Sequence, residues 1–183
     1  MAAVQGMEVK DETRRWSSQA ICGNYIMRAG KHWATFSSSS SSSIGWGQSV
    51  GVIRPLPGWE TRGLDEFSPA NRDLYADLLR KRTDRWDGNV QYCCIYMRDG
   101  SCFWCNWDER ANAARWEGED DYDRHCATLG MMLDLGEGTL SVYQNGRRVG
   151  TLKDGLAGEY CWIAGFWGKG EVSIQRGYNL NTS

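Results

Sequence analysis

The stretch LGMMLDLGEGTLSVYQNGRRVG, residues 129–150, limits the possible folds more than any other part of the chain. Leu129, Met131, Leu133 and Leu135 alternate and so share one face of a strand, with Asp134 on the other. GEG (136–138) is a short loop whose glycines accept positive φ. Thr139, Ser141 and Tyr143 then alternate with Leu140 and Val142. Asn145–Gly146 is the strongest short hairpin signal, because a type I′ turn needs φ > 0 at two successive residues. The run predicts a β-meander with one apolar face, and nothing in it calls for a ligand.

The rest of the chain reads the same way. Residues 16–36 are short β-like pieces broken at Gly23 and Gly30, with His32, Ala34 and Phe36 on one face and Trp33 and Thr35 on the other. The serine run 37–43 offers no apolar surface and predicts a flexible loop. A strand resumes over 44–55, with Val50, Val52 and Ile53 as its apolar content and Pro55 as its stop. SPANRDLYADLLRKRTDRW (68–86) predicts the one helix, at roughly 69–82, capped by Ser68 with Pro69 in the first position. Residues 90–107 predict a hairpin turning at Arg98–Asp99–Gly100, 108–125 a charged loop, and 161–177 two more strands. Residues 1–14 are polar and aperiodic and are expected to be a tail. Short strands with frequent turns predict an all-β sandwich or barrel.

The totals exclude several classes. At 183 residues the chain suits one domain. A net charge of −2 provides no overall basic field for nucleic acid or an anionic membrane. No apolar run approaches the ~20 residues of a membrane helix. The first fifteen residues carry no apolar stretch, so no secretory leader is expected. The seven cysteines then read as reduced thiols of an intracellular protein, cytoplasmic or nuclear. Ten tryptophans are more than a small core hides, so a few are expected to line a groove.

With these residues in view, the chain resembles the SPRY domain family. The central run matches its Gly-Met/Val-Leu-Leu-Asp pattern leading into GTLSVYxNGxxxG. MRAGKHWATF (27–36), VGVIRP (50–55) and GLAGEYCWIAGFWGKGEVSI (155–174) resemble its opening, next core and closing strands, in family order. The likeness covers about residues 15–178, with 1–14 and 179–183 as tails. The leucine-aspartate-proline strand that often precedes the module is not visible, and the serine run and the 69–82 helix look like insertions. The resemblance implies a concanavalin-like sandwich of two antiparallel sheets with one short inserted helix. It also implies a non-enzymatic module that binds peptides or protein surfaces through loops at one edge. A monomer without a cofactor is expected.

The resemblance also points to a site. Phe166–Trp167–Gly168 matches the aromatic-glycine corner of peptide-binding SPRY domains of the SOCS-box type. An indole supplies rigid contact area, and a glycine lets a ligand backbone approach. Family topology implies that Arg15, Trp46 with Gly47, and Arg54 with Trp59 lie nearby. Arg15 and Arg54 could hold acidic side chains bidentately. The competing readings are a core Trp at a hairpin turn for Trp167 and a structural ion pair for Arg54. Trp104, Trp107, Trp116 and Trp162 read as core, with Trp116 pinning a loop.

Other chemistries fit less well. Cys102-x-x-Cys105 with His125–Cys126 could be a zinc set, but strand positions 102 and 105 point to opposite faces. Glu117 and Glu119 are the nearest thing to a glycosidase carboxylate pair, in a segment that reads as loop. A sugar-binding module or hydrolase remains the alternative, given the tryptophans; a scaffold dimerising through a Trp patch is the third reading. No Gly-x-Ser-x-Gly elbow accompanies the two histidines. LLRKRTDR (78–85) reads as the wet face of the helix.

Overall fold

The computed structural model describes residues 7–10, 18–38, 47–58, 67–108, 112–166 and 171–177. Twelve strands lie among them: β1 Met7–Lys10, β2 Ser18–Ile21, β3 Lys31–Ser38, β4 Gln48–Ile53, β5 Tyr92–Tyr96, β6 Cys102–Cys105, β7 Asn112–Ala114, β8 Thr128–Asp134, β9 Thr139–Gln144, β10 Arg147–Lys153, β11 Cys161–Phe166 and β12 Glu171–Arg176. Among the described residues there is one α-helix, α1, Tyr75–Leu79. The strands form two six-stranded sheets, a front sheet in the order β1-β12-β3-β8-β9-β10 and a back sheet in the order β2-β11-β4-β5-β6-β7. Every strand pairing is antiparallel.

The meander forms as its pattern predicts. Leu129, Met131, Leu133, Leu140 and Val142 are fully buried between the sheets. Asn145 and Gly146 both take positive φ, 52° and 76°, as a type I′ turn demands. The back sheet contributes Val50, Val52, Cys93, Ile95 and Trp162 to the same core. Phe36 and Trp162 meet across it edge to face, with centroids 5.9 Å apart.

The back sheet is buried on its outer face too. Ile53, Tyr92, Cys94, Cys105, Cys161 and Ile163 pack there against Leu56, Phe67, Tyr75, Leu78 and Trp86. The segment after β4 is therefore a cover, which explains why β4, β5 and β11 read as near-continuous apolar runs rather than alternating ones.

Four expectations are corrected. The serine run 37–43 is not all loop: Ser37 and Ser38 continue β3 and pair with Ser173 and Val172 of β12, while 39–43 lie outside the described residues. The helix is shorter than 69–82: a 3-10 turn spans Arg72–Leu74, and α1 runs from Tyr75 to Leu79. Asn71 caps instead of Ser68, accepting from the Asp73 amide at 3.1 Å. The Pro69 carbonyl is engaged by Trp107 Nε1 at 2.9 Å, away from any helical amide. At the other end, Lys81 N donates to Leu78 O and Arg82 N to Leu79 O, which tightens the chain out of the α-helix. Residues 7–10 fall in the expected tail but pair with β12 as an edge strand; Met7 and Val9 do alternate with Glu8 and Lys10, over a stretch too short to mark a strand by itself. The charged stretch 108–125 is not all loop: β7 extends the back sheet, and Glu119–Asp121 form a 3-10 turn.

Candidate functional site

The strand registers decide which loops can meet. In β11, Phe166 pairs with Gln48 of β4 and with Ser18 of β2. Both β2 and β4 therefore begin where β11 ends. Gly47 precedes Gln48 directly, and Trp167 and Gly168 follow Phe166 directly. Arg15, Trp46, Trp59, Trp167 and Gly168, and the side chain of Phe166, lie outside the described residues.

Arg54 leaves the opposite end of the same strand. Ile53 pairs with Cys161, the first residue of β11. At ~3.4 Å per residue, five steps of β4 put that pair roughly 17 Å from Gln48 and Phe166. The register thus joins two of the expected loops and sends Arg54, with the root of the Trp59 loop, to the far end.

Arg54 is also fully buried, at 0% exposure. Its Nε donates to Gln91 Oε1 at 2.7 Å, and Nη1 donates to the carbonyls of Ala157 (2.7 Å) and Glu159 (3.1 Å). Nη2 donates to the Asp87 carbonyl. Burial lowers its pKa from the usual value, the Tyr160 hydroxyl and the carboxylates of Asp87 and Glu159 opposing that. This is the structural role weighed for it, with carbonyls where a carboxylate was expected. The guanidinium is directed inward and holds together the segments around 54, 87–91 and 157–160.

At the Phe166 end, four residues stand in register across the outer face of the back sheet: Gln19, Gly165, Ser49 and Tyr96. Gly47, at φ 116°, turns into this row, and a Cβ there would sit 3.4 Å from the Tyr96 ring. Burial pushes the Tyr96 hydroxyl up to about 12. A Cβ on Gly165 would collide with the Gln19 carboxamide, so the glycine lets that side chain lie flat. Gln19 is 7% exposed, and its Oε1 is buried with no hydrogen-bond partner. The sequence reading missed Gln19, Ser49 and Tyr96. No local pattern marks them, because the row exists only through the registers of four strands.

The other sequence candidates resolve as follows. Cys102 faces the inter-sheet core and Cys105 the outer cover, on opposite faces as strand geometry requires. Among the described residues no cluster of His, Cys, Asp or Glu has metal-site geometry. Glu117 accepts from the Thr151 amide at 2.6 Å and from Arg148 at 3.1 Å, which brings its carboxyl down to about 2. Glu119 lies 3.8 Å from Arg115. Each carboxylate thus has a basic partner. Trp107 and Trp162 are core, and Trp116 donates from Nε1 to the Gly100 carbonyl at 2.8 Å, pinning that turn. Trp104 is only half-buried, with Lys153 Nζ 4.8 Å from its ring centroid. No helix among the described residues is long and apolar enough to cross a membrane.

No protein-family model and no curated protein matches the sequence. Solved structures do match. The SPRY domain of human HERC1 superposes with a TM-score of 0.57 at 10% identity, covering 97% of this chain and 99% of that one. A human SPRY domain gives 0.52 at 13% identity, with coverage of 96% and 92%. The TRIM65 PSpry domain gives 0.50 at 18% identity, with coverage of 90% and 71%. Two antiparallel sheets in this order, the central meander and these three likenesses together establish that the chain has the fold of a SPRY domain.

Proposed function

We propose that the protein is a non-enzymatic interaction module of the cytoplasm or nucleus. It binds a short peptide or a protein surface with the loops that leave the back sheet at the Phe166 end. Phe166, Trp167 and Gly168 form the aromatic corner, and Trp46, Gly47 and Arg15 flank it. The observation that carries this reading is the double pairing of Phe166 with Gln48 and Ser18. Ser18, Gln48 and Phe166 are described residues at or next to the RRW, GWG and FWG segments in the sequence, which supports reading those segments as one site. Aromatic burial supplies the affinity and an extended ligand backbone the hydrogen bonds. Gln19, whose buried Oε1 lacks a hydrogen-bond partner, stands at the root of these loops. Arg54 supports the fold behind the loops. Selection of a random peptide library on the immobilised protein tests this. Enriched peptides should lose ~2 kcal/mol or more of affinity on Trp167→Ala. Unchanged affinity with an intact fold would remove the assignment, and enrichment on a glycan array in place of peptides would favour the sugar-binding alternative.

A further inference from the structure

The opposite end of the sandwich carries a second surface. Tyr25 is the exposed large hydrophobic residue among those described, at 38%. Arg176, the last residue of β12, lays its guanidinium 4.6 Å from the Tyr25 ring centroid, and His32 meets the same ring edge-on at 6.0 Å. The ring is thus held in place while still exposed.

The charges around it are sorted by depth. Arg28 pairs with Glu159 at 3.3 Å, and the two side chains are 55% and 5% exposed. Lys31 pairs with Asp134 at 3.1 Å, at 59% and 7%. In both pairs the carboxylate is sunk and the cation faces water. Glu159 also joins the basic stretch 78–85 to this loop: its amide donates to the Arg85 carbonyl at 3.2 Å, and Thr83 Oγ1 donates to its Oε1 at 3.4 Å. Arg82 and Arg85 are exposed there. The exposed carboxylates of residues 78–87 are Asp84 and Asp87, and Asp87 accepts from the Gly88 amide at 2.8 Å. The chain as a whole carries −2, so this basic end stands against the general charge.

We propose that this end docks an acidic segment of a partner protein, with Arg28, Arg82, Arg85 and Arg176 holding its carboxylates and Tyr25 packing its backbone. Tyr and Arg are the residues that dominate binding hot spots, and guanidinium groups match carboxylates bidentately. A nucleic acid would need a longer continuous basic track than a slightly acidic chain offers. The surface is independent of the Phe166 loops, roughly 17 Å away along β4.

The test uses a short fluorescein-labelled all-glutamate peptide, its all-glutamine counterpart and a single-stranded oligonucleotide of equal charge. Anisotropy is read at low and raised salt. The glutamate peptide should bind, the glutamine peptide should not, and salt should weaken the complex. The double variant Arg82→Gln/Arg85→Gln should weaken it about fivefold, the size two exposed ion pairs give together. Tyr25→Ser should weaken it as well, and Trp167→Ala should leave it unchanged. Thermal melting checks each fold. Equal binding of both peptides, preference for the oligonucleotide, wild-type affinity in the double variant, or no binding by the wild-type chain overturns the proposal. None of these outcomes bears on the Phe166 loops, which Trp167→Ala and the peptide library test separately.

Discussion

The Arg54 guanidinium lies over the Tyr160 ring, 4.2 Å from its centroid, in full burial. Tyr160 in turn donates its hydroxyl to the Val90 carbonyl at 2.7 Å. This pair, with four acceptors around the guanidinium, ties the segment that follows β4 to those that precede β5 and β11. Removing it strands several buried carbonyls, each costing about 1–3 kcal/mol when unsatisfied. Arg54→Met should therefore lower unfolding free energy by more than about 3 kcal/mol in urea titrations. Arg54→Lys should rescue little of this, because one ammonium cannot span the same acceptors. A loss under about 1 kcal/mol in the Met variant would contradict the bonding described.

Gly158 stands beside this pair at φ 83°, and a Cβ there would lie 2.6 Å from the Asp87 amide nitrogen and 3.0 Å from Arg54 Nη1. Left-handed backbone alone costs a residue with a side chain roughly 1–2 kcal/mol. Gly158→Ala should lose at least about 2 kcal/mol. The same change at Gly23, where nothing lies within 4 Å, should be nearly silent. Paired thermal melts of the two variants make the comparison.

Gln19 invites the opposite expectation. Its Oε1 is buried without a partner, so an apolar side chain of similar shape removes an unmet acceptor. Gln19→Met should be neutral or stabilise by about 1 kcal/mol while weakening capture of peptides selected on the wild-type protein. A destabilised variant would mean that the carboxamide is structural.

Glu117 sets an acid response. Its carboxyl lies at about 2, against an ordinary 4.5, because the Thr151 amide and then Arg148 favour the charged form. A depressed carboxylate stabilises the fold above its unfolded pKa, and that contribution is lost as pH falls toward the folded value. Stability of the wild type should fall more steeply than that of Glu117→Gln between about pH 4.5 and 2. Equal slopes would show that the carboxyl titrates alike in folded and unfolded chains.

The seven cysteines should divide sharply. Burial pushes the thiols of Cys94, Cys105 and Cys161 up to about 12, and Cys22 and Cys93 are raised as well. Cys102 is buried. Cys126 is half-exposed, with its Sγ 3.0 Å from the Thr128 carbonyl. A thiol-reactive disulfide reagent should label one cysteine in the native protein and seven after unfolding. Several fast labels in the native state would contradict this burial.

Several elements were legible before any fold was known. The 129–150 meander declared itself through two-residue alternation and the Asn145–Gly146 turn, both local properties of the backbone. The opposite faces of Cys102 and Cys105 followed from strand period alone. The helix is shorter than its periodicity at both ends: at its start Trp107 Nε1, distant in the chain, takes the Pro69 carbonyl, and at its end the Lys81 and Arg82 amides tighten the turn. The burial of Arg54 was equally hidden, since its acceptors lie 33 to 105 residues away in the chain.

The sequence by itself determined most of the strands, the turns between them and the apolar faces they bury, since hydrophobic period and glycine conformation act over a few residues. Only the tertiary structure decided which loops share an end. Antiparallel registry brings Phe166, Gln48 and Ser18 together and carries Arg54 to the other end of β4. The same registry gathers Tyr25, Arg28 and Arg176 with the distant Arg85. No local pattern encodes such pairings, because each depends on how strands far apart in the chain align to complete one core.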